Sequence, residues 1–175
     1  DNSFGSLAGT TNFVMRASKF SKGARLTVST SNRSYRSRIM ATYSSGELNH
    51  NWFYAVSLSG RFAEEGYIEG TSYNAKSVFF SVERKINKNH SLNFAAIYTP
   101  NIRGKSAAIT DEVFNLKGRK YNSYWGLQGD KIRNSRQRRV KEPILMLNHF
   151  WSLSRSTKIN TNVAYQFGHI GNTRI

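Results

Sequence analysis

The feature that most constrains this chain is an alternation of period two. From Trp52 to Phe62 the even positions carry Trp52, Tyr54, Val56, Leu58 and Phe62, and the odd ones Phe53, Ala55, Ser57, Ser59 and Arg61. Successive residues of a β-strand point to opposite faces, so this stretch predicts a strand with one greasy face and one mostly small or polar face. The pattern recurs. Over Lys76–Ile86, Val78, Phe80, Val82 and Ile86 oppose Ser77, Ser81, Glu83 and Lys85, with Phe79 among the latter. Leu92, Phe94, Ala96 and Tyr98 oppose Ser91, Asn93, Ala95, Ile97 and Thr99. Ile159, Thr161, Val163, Tyr165 and Phe167 oppose Asn160, Asn162, Ala164 and Gln166. Arg25–Ser31, Arg36–Ser44 and Ile144–Leu153 are less regular. The expectation is an all-β fold of about seven antiparallel strands, each about 8–12 residues long and neighbours in a meander.

Composition bears on what the greasy faces meet. Hydrophobic residues are 38 % of the chain, low for a large close-packed core, while aromatics reach 13 %, which excludes simple disorder. Cysteine is absent, so disulfides and thiolate metal sites are excluded. No run of about 18 apolar residues occurs, so no helix of this chain spans a membrane. A barrel strand, in contrast, needs only about 9–11 alternating residues. The connections alternate in length. Short turns are expected at Gly46–His50, Asn87–His90 and Ser154–Thr157, and longer ones at Ala63–Tyr73 and Pro100–Glu142; the opening hairpin near Asn32–Tyr35 is short but belongs to the second set by count. Tight turns on one side and long loops on the other mark a transmembrane barrel. Trp52, Tyr54, Tyr98 and Trp151 fall near strand ends, where such barrels carry girdles of aromatic residues at the membrane interfaces. Ordinary core aromatics of a soluble β-protein are the plainer reading, against which the polar opposite face argues.

Charge is concentrated. The chain has 26 Lys+Arg against 10 Asp+Glu, a net charge of +16. Lys117–Lys141 holds nine basic residues, with Asp130 its only acid. Tyr121, Tyr124 and Trp125 are interleaved there with Arg133 and Arg136. Such a stretch could bind nucleic acid through phosphates and base stacking, could be a solvated loop, or could be an outer loop beside anionic lipopolysaccharide or over an anion-binding lumen. Under the strand register above, Arg61, Glu83 and Lys85 face the wet side and are candidate lumen contacts. Catalysis finds no support. Asp111 and Glu112 are adjacent and do not face each other, His50, His90, His149 and His169 show no metal-ligand spacing, and no phosphate-binding or nucleophile motif occurs. No cofactor is expected.

A resemblance enters at Gly9-Thr10-Thr11-Asn12-Phe13-Val14-Met15-Arg16, which precedes the first amphipathic strand. It resembles the end of the plug in TonB-dependent receptors, with Thr10 and Thr11 standing where that family usually has a second Gly and an aliphatic residue. Trp52–Tyr67, Lys120–Arg136 and, most closely, Glu142–Gly171 with its EPILMLNHFW and NTNVAYQFGHIGN runs are similar to stretches of these receptors in Bacteroidetes-type bacteria. The resemblance implies a barrel of about 22 strands with a plugged lumen. Residues 1–18 would then be the end of the plug and its connection. Residues 19–175 would be the first barrel strands, with a long outer loop at 100–142. The opening Asp1-Asn2-Ser3-Phe4-Gly5 has neither a basic start nor an apolar run, which reads as a mature form or a fragment.

The function so implied is uptake of a nutrient, a metal chelate or glycan, across the cell outer membrane. An inner-membrane TonB complex would supply the energy, a surface lipoprotein is a possible partner, lipopolysaccharide would surround the barrel, and nucleic acid would not be bound. Ligand contacts are expected from Arg61, Glu83, Lys85, Tyr121, Tyr124, Trp125, Arg133 and Arg136. Two other readings stand beside it. One is a small, complete eight-stranded outer-membrane barrel with a structural or adhesive role, in which Phe4–Met15 supplies the eighth strand. The other is a soluble basic β-protein that binds nucleic acid.

Overall fold

The structure, a computed structural model, describes Gly9 and residues 13–173. Thr10, Thr11 and Asn12 of the plug-exit motif, and most of the eighth strand that a small barrel would require, lie outside the described residues. The described elements run in order as a 3-10 turn (Ala17–Lys19), β1 (Gly23–Thr30), β2 (Ser37–Ser44), a second 3-10 turn (Asn49–Asn51), β3 (Trp52–Ala63), β4 (Tyr73–Lys85), β5 (His90–Tyr98) and β6 (Asn101–Gly104). Then come helix α1 (Asp111–Lys117), β7 (Trp125–Gln128), β8 (Lys131–Asn134), β9 (Gln137–Lys141), β10 (Ile144–Ser152), β11 (Lys158–Gln166) and β12 (His169–Asn172). The fold is all-β and antiparallel.

The main sheet follows the path β1-β2-β3-β4-β5-β10-β11, and these are the seven strands that the alternation predicts. Twelve strands are present rather than about seven. The register explains the difference. Tyr98 of β5 faces Val78 of β4, and Asn101 of β6 faces Ala75, three residues further along both chains. Ile97 faces Ile144 and Asn101 faces Val140, four further along both. Gln166 faces Ile144 and His169 faces Lys141, again three further along both. Thus β5–β6, β9–β10 and β11–β12 are each one long strand, interrupted where the ladder crosses a common level. Pro100 and Pro143, the chain's only prolines, sit at two of the interruptions. Proline has no N–H to donate, so the ladder breaks there while its carbonyl still accepts, from Lys76 at Pro100 (3.0 Å) and from Phe167 at Pro143 (3.3 Å). At the third break Gly168 has φ +113, and a Cβ there would lie 1.9 Å from the Lys141 carbonyl oxygen, so only glycine fits. Only the β7–β8 hairpin is separate from this scheme. The segment expected as a long outer loop is therefore a folded insertion, with strand extensions at both ends and a helix and a hairpin between.

Burial is inverted relative to a soluble sheet. The alternating apolar set is the exposed one: Leu26 is 71 % exposed, Val28 67 %, Leu58 52 % and Val163 63 %. Cross-strand rows on this face are apolar over the full width. Ala24, Tyr43, Val56, Phe80, Ala96, Leu145 and Tyr165 form one continuous row of neighbours across seven strands. The opposite face is small or polar and is covered in the middle of the sheet, where Ser44, Ser81, Glu83, Ser91 and Asn93 are buried, whereas β11 is exposed on both faces. Only Ala17, Phe53, Ala55 and Ala95 are buried hydrophobics among the described residues.

The sheet is open. Among the described residues β1 pairs only with β2, and β11 only with β10, so no barrel closes among them. The loop lengths sort by end for the later connections, while 31–36 and 45–51 are similar in length. Residues 31–36, 64–72 and 99–143 join strands at one end, and 45–51, 86–89 and 153–157 at the other.

Candidate functional site

Two regions gather the polar side chains. The first is the covered face near the short-turn end. Small residues there (Ala55, Ser81, Ala95) leave room for the backbone of residues 13–20 to lie across β3 and β4. The Ser81 hydroxyl donates to the Met15 carbonyl (2.7 Å), and the Ala17 N–H donates to Asn93 Oδ1 (3.3 Å). Glu83 is fully buried. Its carboxylate accepts from the Arg16 guanidinium and from the Ser18 N–H (3.1 Å). Arg16 also donates to Ser91 Oγ (2.9 Å) and lies 3.8 Å from the Phe150 ring centroid. This is the only ion pair among the described residues. A buried carboxylate needs such partners, because an unpaired one would be strongly destabilising.

The second region is the long-connection end. Two buried asparagines build it. Asn122 donates to the carbonyls of Glu69 (2.9 Å) and Lys105 (3.1 Å) and accepts from the N–H groups of Ala107 (3.0 Å) and Tyr124 (3.1 Å). Asn134 donates to Gly70 and Lys105, both at 2.9 Å, and accepts from the Arg136 N–H at 2.8 Å. Together they tie residues 64–72, the end of β6 and both flanks of the β7–β8 hairpin into one frame. Gly70, at φ +65, has Trp125 packed against it, and an added Cβ would meet that side chain at 2.1 Å.

Around this frame lies a cleft of about 860 Å³. It is lined by the cations Arg33, Arg103, Lys105 and Arg119, together with Tyr67 and Tyr73. Its volume is within the range of small-molecule pockets, about 300–1,000 Å³. A smaller cleft of about 320 Å³ beside the hairpin is lined by Tyr124, Trp125, Gln128 and Arg133.

The expected contacts divide accordingly. Tyr124, Trp125, Arg133 and Arg136 come together at the hairpin: Arg136 stands over the Tyr124 ring (5.3 Å), and Arg133 donates to Gln128 Oε1. Tyr121 is half-buried and immediately precedes Asn122 of the same frame. Arg61, Glu83 and Lys85 do share the covered face, but they do not form one site. Arg61 faces Ala75 of β4, ten residues from Lys85, which is about 33 Å along a strand. Arg61 lies over the Tyr35 ring (5.6 Å) and Lys85 over the Phe53 ring (4.5 Å). Glu83 is committed to the docked segment and is not open to a ligand. The interface aromatics lie on the exposed face. Trp52 and Trp151 stand at the short-turn end with Tyr54 one row further in, and Tyr98 stands near the proline level. Arg84 stacks on Trp52 (5.3 Å), and His90 stacks on Trp151 (5.3 Å).

Arg33, Arg103, Lys105 and Arg119 were not among the expected contacts, nor were Asn122 and Asn134. The basic run drew attention to Lys117–Lys141, which supplies only Arg119, whereas Arg33 comes from the first connection and Arg103 and Lys105 from the end of β6, a grouping that only tertiary structure makes. Comparison with protein-family models, curated proteins and solved structures found no match to this chain.

Proposed function

We propose that this chain forms part of the wall of an outer-membrane β-barrel, and that the barrel is a TonB-dependent receptor taking up a nutrient ligand. The observation that carries the reading is the inverted burial. A sheet in water hides its apolar face, and a contiguous exposed apolar surface of this extent marks contact with lipid or a partner. Here the band on β3 runs from Trp52 to Phe62. At about 3.3 Å per residue this is about 33 Å along the strand, or about 25 Å along the axis of a barrel with strands tilted by about 40°, which is the height of a lipid-facing band. The first rows beyond Tyr98 carry Lys76, Pro100 and Lys141, where a barrel leaves the bilayer.

Two further features support the receptor in particular. The covered face is occupied by residues 13–20 rather than left as an open channel, as a plugged lumen requires. The open edges of β1 and β11 need further strands, because unpaired backbone groups are not tolerated in hydrocarbon. The test is fractionation of cells making the natural polypeptide, followed by capture on the periplasmic domain of TonB. Outer-membrane location with heat-modifiable gel mobility and TonB capture is expected. Recovery in the soluble fraction would sink the barrel reading, and membrane location without capture would sink the receptor reading.

A further inference from the structure

We propose that the 860 Å³ cleft at the long-connection end binds a polyanionic sugar chain, held by Arg33, Arg103, Lys105 and Arg119. The inference deepens the receptor reading by naming the ligand class. It is tested by binding alone, so its failure is separate from failure of that reading.

Charge is the first argument. Four cations line one cleft, and no carboxylate lines it. None of the four has an ion-pair partner among the described residues, where Arg16–Glu83 is the only pair. The nearby connection does hold Glu64, Glu65 and Glu69, but Glu65 is turned to the Gly70 N–H (2.7 Å). Like charges gathered without counter-charges repel one another, and a bound anion removes that cost. Guanidinium groups also match sulfate, phosphate and carboxylate in a bidentate fork.

The remaining lining supplies the second argument. Asn32, Ser34, Thr71 and Ser72 offer neutral donors and acceptors suited to sugar hydroxyls, and Tyr67 and Tyr73 offer flat faces suited to sugar rings. Preorganisation is the third. Arg103 is on β6 and paired opposite Tyr73, and Lys105 is held by its N–H to the Arg136 carbonyl (2.8 Å) and by its carbonyl to Asn122 and Asn134. The Arg33 carbonyl accepts from the Tyr67 N–H (2.7 Å), which fixes the first connection against the second. A cleft fixed in this way loses little freedom when it binds.

The oxyanion groups could belong to a soluble oligosaccharide or to the sugar of lipopolysaccharide. The experiment is calorimetric titration of the natural polypeptide, purified in detergent, with a heparin hexasaccharide, a neutral hexasaccharide and a phosphorylated lipopolysaccharide core oligosaccharide. At least one charged probe is expected to bind at least about tenfold tighter than the neutral one, and the Arg33→Ala/Arg103→Ala variant to lose about tenfold or more of that affinity. Tighter binding of the heparin probe assigns a soluble source, and of the core probe a membrane source. Arg155→Ala, in the turn at the opposite end, controls for general attraction to a basic protein and is expected to bind as the parent does. If the double variant does not fold, Arg33→Gln/Arg119→Gln replaces it. Equal binding of neutral and charged probes, unchanged affinity in the cleft variant, or an equal loss in Arg155→Ala would overturn the proposal.

Discussion

Arg16, in the segment that crosses the covered face, donates to the buried carboxylate of Glu83 on β4, 67 residues away in the chain. This contact fixes where the incoming chain meets the sheet. Removing one partner of a buried pair costs about 3–5 kcal/mol, mostly because the other charge is left uncompensated. Arg16→Ala is therefore expected to undock residues 13–20. The Ser18 and Ala17 amides, which donate to Glu83 and Asn93, should exchange hydrogen at least tenfold faster, while amides of β2 and β3 stay protected. Unchanged exchange at both amides would show that the segment is held by other contacts.

The lipid-facing reading predicts an asymmetry between adjacent residues of one strand. Leu58 is on the exposed face and Ser59 on the covered one. A Lys or Arg at mid-bilayer costs about 2–4 kcal/mol in a barrel. Leu58→Arg should lower the urea midpoint for folding in lipid vesicles, and Ser59→Arg should lower it far less. Equal effects from the two would place neither face in lipid.

How far the sequence disclosed this fold depends on the strand. Alternation placed β3, β4, β5 and β11 within a few residues, because a strand between two different media must alternate. Even the less regular β1, β2 and β10 followed. The short strands β6, β9 and β12 escaped because their four or five residues carry no clear alternation: Gln137-Arg138-Arg139-Val140-Lys141 reads as a basic run, not a strand. Their pairing comes from neighbours already in register. The site was less legible still. Tyr124, Trp125, Arg133 and Arg136 were visible as aromatics among cations, but Asn122 and Asn134 look like any loop asparagine until their four and three side-chain hydrogen bonds are seen. Glu83 stood out as a lumen residue, and its partner in the docked segment could not be read from spacing.

The asparagine frame gives a third prediction. Each asparagine satisfies several buried backbone groups, and each such group left unpaired costs about 1–3 kcal/mol. Asn134→Ala removes the side-chain partner of the Gly70 carbonyl and of the Arg136 N–H, and leaves the Lys105 carbonyl with Asn122 alone. It should leave the main sheet intact while making residues 105–136 sensitive to limited proteolysis. Resistance equal to that of the parent would mean the frame is held by the strand extensions alone.

Gly70 gives a fourth. With φ +65 and Trp125 against it, alanine there is both strained and obstructed. Gly70→Ala is expected to displace the β7–β8 hairpin. The Trp125 emission should shift to the red in a variant whose other two tryptophans, Trp52 and Trp151, are replaced by Phe. Unchanged emission would show that the hairpin sits independently of the 64–72 connection.

The breaks at Pro100, Pro143 and Gly168 give three neighbouring strands a shared seam. Below the seam the exposed face is apolar, with Leu58, Val78 and Phe80 open on neighbouring strands. Above it, β6, β9 and β12 continue the same strands in the same register. The helix and hairpin of residues 105–136 thus hang on strand extensions whose register is already set beneath the seam, so length can be added to that insertion without shifting a single pair of the main sheet.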